Sequence, residues 1–216
     1  MYESFETVTV GEVVASDFRT AAVFQRFGID FCCGGKRSIA VACKTAAADP
    51  ALLLGALKGL SPIEASIDDQ AGWPLDRLTE HIVSTHHKYI RTSSPVISGY
   101  LEKLVKVHGA RHPELARVER VFAQMSRDLE PHMMKEEHVL FPYLNELARA
   151  GGEQRLSSPF GTVENPIRMM EREHEEVGNE MRLIRELTNN FTPPADGCTT
   201  YKVCFAELAR FEEDLH

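Results

Sequence analysis

From Pro74 onward the chain keeps one pattern: apolar residues return every three or four positions along four long stretches, with short connections between them. That period belongs to amphipathic helices, and strand signals are nearly absent, so the pattern predicts an all-α fold. The first helix is expected from Pro74 to about His108, bent at Pro95. Gly109-Ala110-Arg111-His112-Pro113 turns into a second helix that ends near Ala150-Gly151-Gly152. Asn165-Pro166 reads as a cap and a first-turn proline opening a third helix to about Asn190. Thr192-Pro193-Pro194 breaks the chain, and a fourth helix starts near Cys198 or Thr199. Short links between long helices favour antiparallel neighbours, hence an up-down-up-down four-helix bundle over residues 74–216.

The first 60 residues differ. They are rich in Ala and Gly and contain no His. Short helices are expected there: one capped by Ser16 or Asp17 and stopped by Gly28, one opened by Ser38, and one opened by Asp49-Pro50. Ala21, Phe24 and Phe27 form an apolar stripe on the first of them. Residues 61–73 are polar, with Pro62 and Gly72, and read as a linker. The expected organisation is a small helical domain over 1–60, a linker over 61–73 and the bundle over 74–216.

Composition narrows the function. With 24 Lys+Arg against 32 Asp+Glu the net charge is -8, which argues against nucleic acid as a main partner. No apolar run reaches the roughly 18 residues of a membrane helix, and the acidic N-terminus has no signal-peptide character. Five Cys in this length indicate a reducing compartment, hence the cytoplasm, rather than a disulfide framework. Nine His are about double an ordinary share, and all lie after residue 74.

The stripes place some of these histidines. On the second helix Val118, Met125, Leu129, His132, Glu136, Val139 and Tyr143 share a face, so His132 and Glu136 project into the core together. A buried imidazole beside a buried carboxylate is costly unless something compensates. A metal compensates both; a plain His–Glu hydrogen bond is the rival reading. On the third helix Ile167, Met170, His174, Val177, Met181 and Ile184 make the apolar face, with His174 in its middle. His138 falls on the solvent face, and His108 and His112 sit at the turn as structural or surface residues. On the first helix, Leu75, Leu78 and Ile82 centre the stripe near His86, while Val83 and Ile90 pull it toward His87; spacing slightly prefers His86 and does not settle the choice. The fourth helix has an inner face of Tyr201, Cys204, Leu208, Phe211 and Leu215, with His216 off it. It stops without a cap, so the bundle is expected to be C-terminally incomplete. Cys43, Cys198 and Cys204 read as core residues.

Five segments together resemble the Repair of Iron Centres (iron–sulfur cluster repair) di-iron family, a hemerythrin-like domain behind a small Cys-Cys domain. They are Asp30-Phe31-Cys32-Cys33-Gly34-Gly35-Lys36, His81 to His87, His132 to Glu137 followed by Leu140-Phe141-Pro142, Glu171 to His174, and Thr188 to Pro194 with Cys198-Thr199-Thr200. They run in order along nearly the whole chain. The resemblance implies a carboxylate-bridged centre of two non-haem iron ions, with His87, His132 and His174 as ligands and Glu136 as a bridge. It thus assigns His87 where the stripe favoured His86, and a bend at Pro95 is the expected reason. It also implies a second His-x-x-x-Glu pair just past residue 216. Pro131, beside His132, is expected to disturb the ligand helix.

The function so implied is repair of iron–sulfur clusters damaged by oxidative or nitrosative stress, by supplying iron to the damaged proteins. Mixed imidazole and carboxylate donors suit iron. Two rivals stay open at this stage: nitric oxide reduction with Cys32 and Cys33 passing electrons, and reversible binding of nitric oxide or oxygen. A redox or iron-handling role for Cys32 and Cys33 rests on the family motif, and the family allows a homodimer.

Overall fold

The computed structural model describes residues 6–17, 19–31, 34–60, 72–150 and 164–215. The chain divides into two compact units, Met1–Trp73 and Pro74–His216. Among the described residues there is no strand, only an isolated bridge between Thr9 and Ser38. No described helix is long and apolar enough to cross a membrane.

Among its described residues the first unit holds four short helices: α1 (Val10–Ser16), α2 (Thr20–Arg26), α3 (Ile39–Thr45) and α4 (Pro50–Lys58). The periodicity reading missed α1, which is too short to show a period. Its start is nonetheless written in the sequence as a capping box, with the Thr9 side chain and Glu12 satisfying each other's backbone N–H groups. α2 begins at Thr20, later than the Ser16 or Asp17 expectation, because α1 occupies Ser16 and Asp17 closes it. Gly28 stops α2 at a φ of 68°, with Gly28 N–H donating to Gln25 and Ile29 N–H to Phe24, as in a Schellman ending. Val10, Val13, Phe24, Ile29, Ile39, Cys43, Leu53 and Leu57 form the core. Cys32 and Cys33 lie outside the described residues, as does nearly all of the expected linker.

The second unit is the bundle. Its first helix is α5 (Leu75–His81), a π-turn over Ile82–His87 and α6 (Lys88–His108). Its second is α7 (Leu115–Lys135), a π-turn over Glu136–Leu140 and α8 (Phe141–Arg149). The third and fourth are α9 (Glu164–Leu187) and α10 (Thr199–Leu215). α7 packs on α6 and α9, and α6 also packs on α10. The core is Ile97, Leu101 and Leu104 of α6, Val118, Phe122, Met125 and Leu129 of α7, Met181 and Ile184 of α9, and Tyr201, Cys204, Leu208 and Phe211 of α10. Each such side chain, removed from water, contributes about 1.5–3 kcal/mol. The contacts fix the alternating directions. The start of α6 meets the end of α7, and the end of α6 meets the start of α10. The end of α10 returns to the start of α6 through Asp214 and His86. Arg185 and Glu212, the latter buried, tie α9 to α10.

Two expectations need correction. Val139 is 40% exposed, and Leu140 and Phe141 are buried instead. The π-turn inserts one extra residue, which rotates everything after Glu136 by about 100°. Cys198 is exposed, whereas Cys43 and Cys204 are buried as expected, because Cys198 precedes α10 and lies outside its packed face.

Candidate metal centre

At one end of the bundle four side chains converge. Glu136 is buried at the centre. One oxygen lies 3.0 Å from His87 Nε2, and the other lies 3.5 Å from His132 Nε2 and 3.9 Å from His174 Nε2. The His132 and His174 Nε2 atoms are 2.9 Å apart. His132, Glu136 and His174 each offer one ligand atom within 4.8 Å of the others. His87 comes from the first bundle helix, His132 and Glu136 from the second, and His174 from the third.

The register of the first helix explains the choice between its two histidines. His87 is 3% exposed and His86 has a 40% exposed side chain. In a regular helix the face of Leu75, Leu78 and Ile82 leads to His86. The π-turn ends at His87, and its extra residue delivers that side chain to the face continued by Ile90, Ile97 and Leu101. The shift comes from this turn and not from Pro95, which lies downstream of it in the unbroken α6. His86 instead pairs with Asp214 of α10 at 3.2 Å, which raises its pKa. Likewise α7 runs unbroken through Pro131. The other expected placements are plain: His138 is exposed, and His112 pairs with Glu114 and Asp196 at the far end.

Two carboxylates that spacing did not single out complete the arrangement. His87 Nδ1 lies 2.8 Å from Glu137, and His132 Nδ1 lies 2.8 Å from Glu173. Each carboxylate has a cation behind it. Arg91 donates to Glu137 at 2.7 Å, and Lys135 donates to Glu173. An ionised carboxylate only accepts, so each Nδ1 carries the proton and donates it. That leaves the Nε2 of a neutral imidazole with its lone pair turned on Glu136. Lone pairs facing lone pairs at 3.0–3.5 Å repel unless protons or a metal ion lie between them. The donor set therefore fits a cation, and the carboxylate–imidazole pairs are the usual outer support of metal-binding histidines. Sequence reasoning missed Glu137 because residues 136 and 137 cannot share a face of a regular helix; the π-turn brings both toward His87.

The electrostatics agree. Burial alone would raise the Glu136 pKa, but in the metal-free protein a second proton, on the facing Nε2 of His132 or His87, hydrogen-bonds to it, outweighs burial and brings it down to about 2. Burial opposes charge on His132, yet Glu136 and Glu173 together raise its pKa. Burial and the neighbouring His132 lower that of His174, which favours the neutral, ligating form. The His174 side chain is 49% exposed, so it meets the centre with one edge and solvent with the other. This departs from the mid-face position expected for it. Beside His132 lies a cavity of about 150 Å³ bordered by Asp128, Glu173, Glu176 and Glu180 with Lys135, a net-acidic approach to the centre.

Comparison with known proteins matches the same regions. Residues 78–216 match the family described as Hemerythrin HHE cation binding domain. Residues 6–61 match a Domain of Unknown function (DUF542). An iron-sulfur cluster repair protein YtfE of Dickeya chrysanthemi (strain Ech1591) is 32% identical over 208 residues, covering 96% of this chain and 89% of the relative. Proteins of the same name from Cronobacter sakazakii (strain ATCC BAA-894) and Shigella boydii serotype 4 (strain Sb227) are 30% and 31% identical, covering 98% and 95% of this chain and 90% and 88% of the relatives.

Proposed function

This chain belongs to the iron–sulfur cluster repair family with a hemerythrin HHE cation-binding domain, and from that premise we propose that it carries two non-haem iron ions and supplies iron to iron–sulfur proteins damaged by oxidative or nitrosative stress. His87, His132 and His174 would hold the metal, with Glu136 as the bridging carboxylate. The observation that carries this reading is the Glu136 carboxylate facing three imidazole nitrogens, two of them with their other nitrogen tied to Glu137 and Glu173. Imidazole with carboxylate is a donor set that iron accepts, and bound iron supplies an exchangeable, redox-active ion.

The residues themselves do the rest. Glu137 and Glu173 keep the Nδ1 protons in place, so the Nε2 lone pairs face inward. Glu136, ionised at neutral pH, offers both oxygens. His174 is the most exposed of the three imidazoles and the one whose release opens the centre to solvent. The net-acidic cavity beside His132 would favour a cation between the centre and the surface.

Iron is quantified per chain after anaerobic loading, and the loaded protein is mixed with an enzyme whose iron–sulfur cluster has been destroyed by peroxide. We expect iron binding in the wild type, its loss in Glu136→Gln, and recovery of the damaged enzyme. No iron uptake sinks the metal centre. Uptake without recovery sinks iron supply, and turnover of nitric oxide in that case favours the enzymatic alternative.

A further inference from the structure

Behind His87 stands a chain of charge that reaches further than the carboxylate on its ring. Arg91 lies on α6 four residues after His87, one turn on and on the same face. Its Nη1 donates at 2.7 Å to Glu137 Oε1, the same oxygen that lies 2.8 Å from His87 Nδ1. Its Nε lies 3.2 Å and 3.3 Å from the two oxygens of Glu130. Glu130 belongs to the regular part of α7, and Glu137 to the π-turn that follows it. One guanidinium therefore spans the point where the phase of that helix changes. The planar fork of arginine, with donors in several directions, suits this task. The support of His132 is built differently: Lys135 comes from α7 itself and offers Glu173 a point charge.

Two consequences follow for His87. Glu137 cannot turn away from the ring without also losing Arg91, so the imidazole is held by a carboxylate that is itself held. Arg91 also shares the oxygen that His87 uses. A carboxylate on Nδ1 raises the basicity of an imidazole as a ligand, and a cation on that same oxygen offsets part of the rise. An ordinary surface Arg–Glu pair would have neither effect, and here the inner partner, Glu137, is mostly buried while Glu130 is exposed.

On the reading of this centre as an iron site, we propose that Arg91 is a positioning residue that acts through Glu137, fixing the His87 imidazole and limiting the electron density it offers to iron. A less basic ligand favours the ferrous ion over the more highly charged ferric ion. The ferrous ion is the more readily exchanged of the two, so this bias suits a centre that gives up its iron.

The test loads the full chain with ferrous iron under argon, then measures iron per chain and the ferric–ferrous midpoint potential by redox titration. Arg91→Gln and Arg91→Lys remove no ligand and should keep most of the iron. Arg91→Gln should lower the midpoint by about 60 mV, a roughly tenfold gain for the ferric ion at the lower end of what outer partners of a metal ligand contribute. Arg91→Lys, which keeps the charge and loses the fork, should lower it less. In a Glu137→Gln background the Arg91→Gln change should move the midpoint much less, because its link to His87 is already cut. Lys103→Gln removes an exposed charge of the same sign twelve residues further along α6 and should leave the midpoint in place. A midpoint unmoved by Arg91→Gln, a drop in Arg91→Lys as large as in Arg91→Gln, an equal shift with and without Glu137, a matching shift in Lys103→Gln, or loss of iron from both Arg91 variants would overturn the proposal and leave the iron centre standing. Failure of the wild type to take up iron would overturn both.

Discussion

The two ends of the bundle both bury imidazoles, yet they treat them differently. At the metal end each of His87 and His132 has a carboxylate on Nδ1 and shares Glu136 through Nε2, and each outer carboxylate has its own cation, Arg91 or Lys135. At the far end His108 is equally buried and has no such support, while His112 spends both nitrogens on carboxylates near the surface. Neither burial nor a carboxylate on the ring alone therefore marks a metal site; a buried ring with an outer carboxylate on Nδ1 and its Nε2 turned on a carboxylate shared with other imidazoles does. Backbone geometry follows the same division. Both π-turns among the described residues of the bundle sit at the metal end, where they aim His87 and the Glu136–Glu137 pair, and α6 and α10 meet at the far end as regular helices. π-turns of this kind are frequent at functional sites because they re-aim side chains without ending a helix.

The largest expected effect breaks the supported end. His132→Leu leaves the buried Glu136 short of a partner and takes one of two partners from the half-buried Glu173. In metal-free protein it should cost about 3 kcal/mol, the lower part of the range for removing one member of a buried charged pair. Urea unfolding would show it as a fall in midpoint, and iron loading should fail as well. An unchanged midpoint would mean that the carboxylates do not depend on the ring.

The next effect compares neighbours. His87→Ala should remove most of the bound iron, while His86→Ala, whose ring is half exposed and bonded to Asp214, should keep most of it. Iron per chain after loading decides this, and the reverse order would show that the π-turn does not set the register. Smaller again are Glu137→Gln and Glu173→Gln. Each keeps its ring's neighbour in place but removes the charge that fixes the Nδ1 proton, which should weaken iron binding by about 10–100-fold. Competition with a chelator measures that ratio. Equal affinities in wild type and both variants would reduce the outer carboxylates to surface pairing.

Much of this was legible in the residues, and the misses share a cause. The 3.6-residue period gives the four bundle helices and puts His132 and Glu136 inward, because the straight part of α7 obeys that period up to Lys135. It fails at Ile82–His87 and Glu136–Leu140, where one extra residue per turn resets the phase. Thus the stripe leaned to His86, Val139 was expected inside, and Glu137 went unnoticed. Glu173 escaped for a different reason: it is one position off the stripe of His174 and reaches His132 across the helix interface, which no single-helix pattern contains. Cys198 was expected in the core because an apolar-looking residue beside a helix resembles its packed face; the helix begins one residue too late for that.

The smallest effect tests the far end and closes the comparison. His108→Leu replaces an imidazole that makes no well-formed hydrogen bond with an apolar side chain of somewhat smaller size, so no partner is orphaned by the change. Two terms then oppose each other. Removing an unsatisfied buried polar group is favourable by about 1 kcal/mol or more, and the ring volume lost against Tyr201 costs a similar amount as a small cavity. Stability should therefore stay within about 1 kcal/mol of wild type in urea unfolding, against the loss of about 3 kcal/mol for the same substitution at His132. A loss at His108 as large as that at His132 would mean that this imidazole has a strong partner of its own, such as an ordered water, and that the two ends are built alike. A near-zero change at His108 would show that a buried ring without a carboxylate behind it adds little to the stability of the fold.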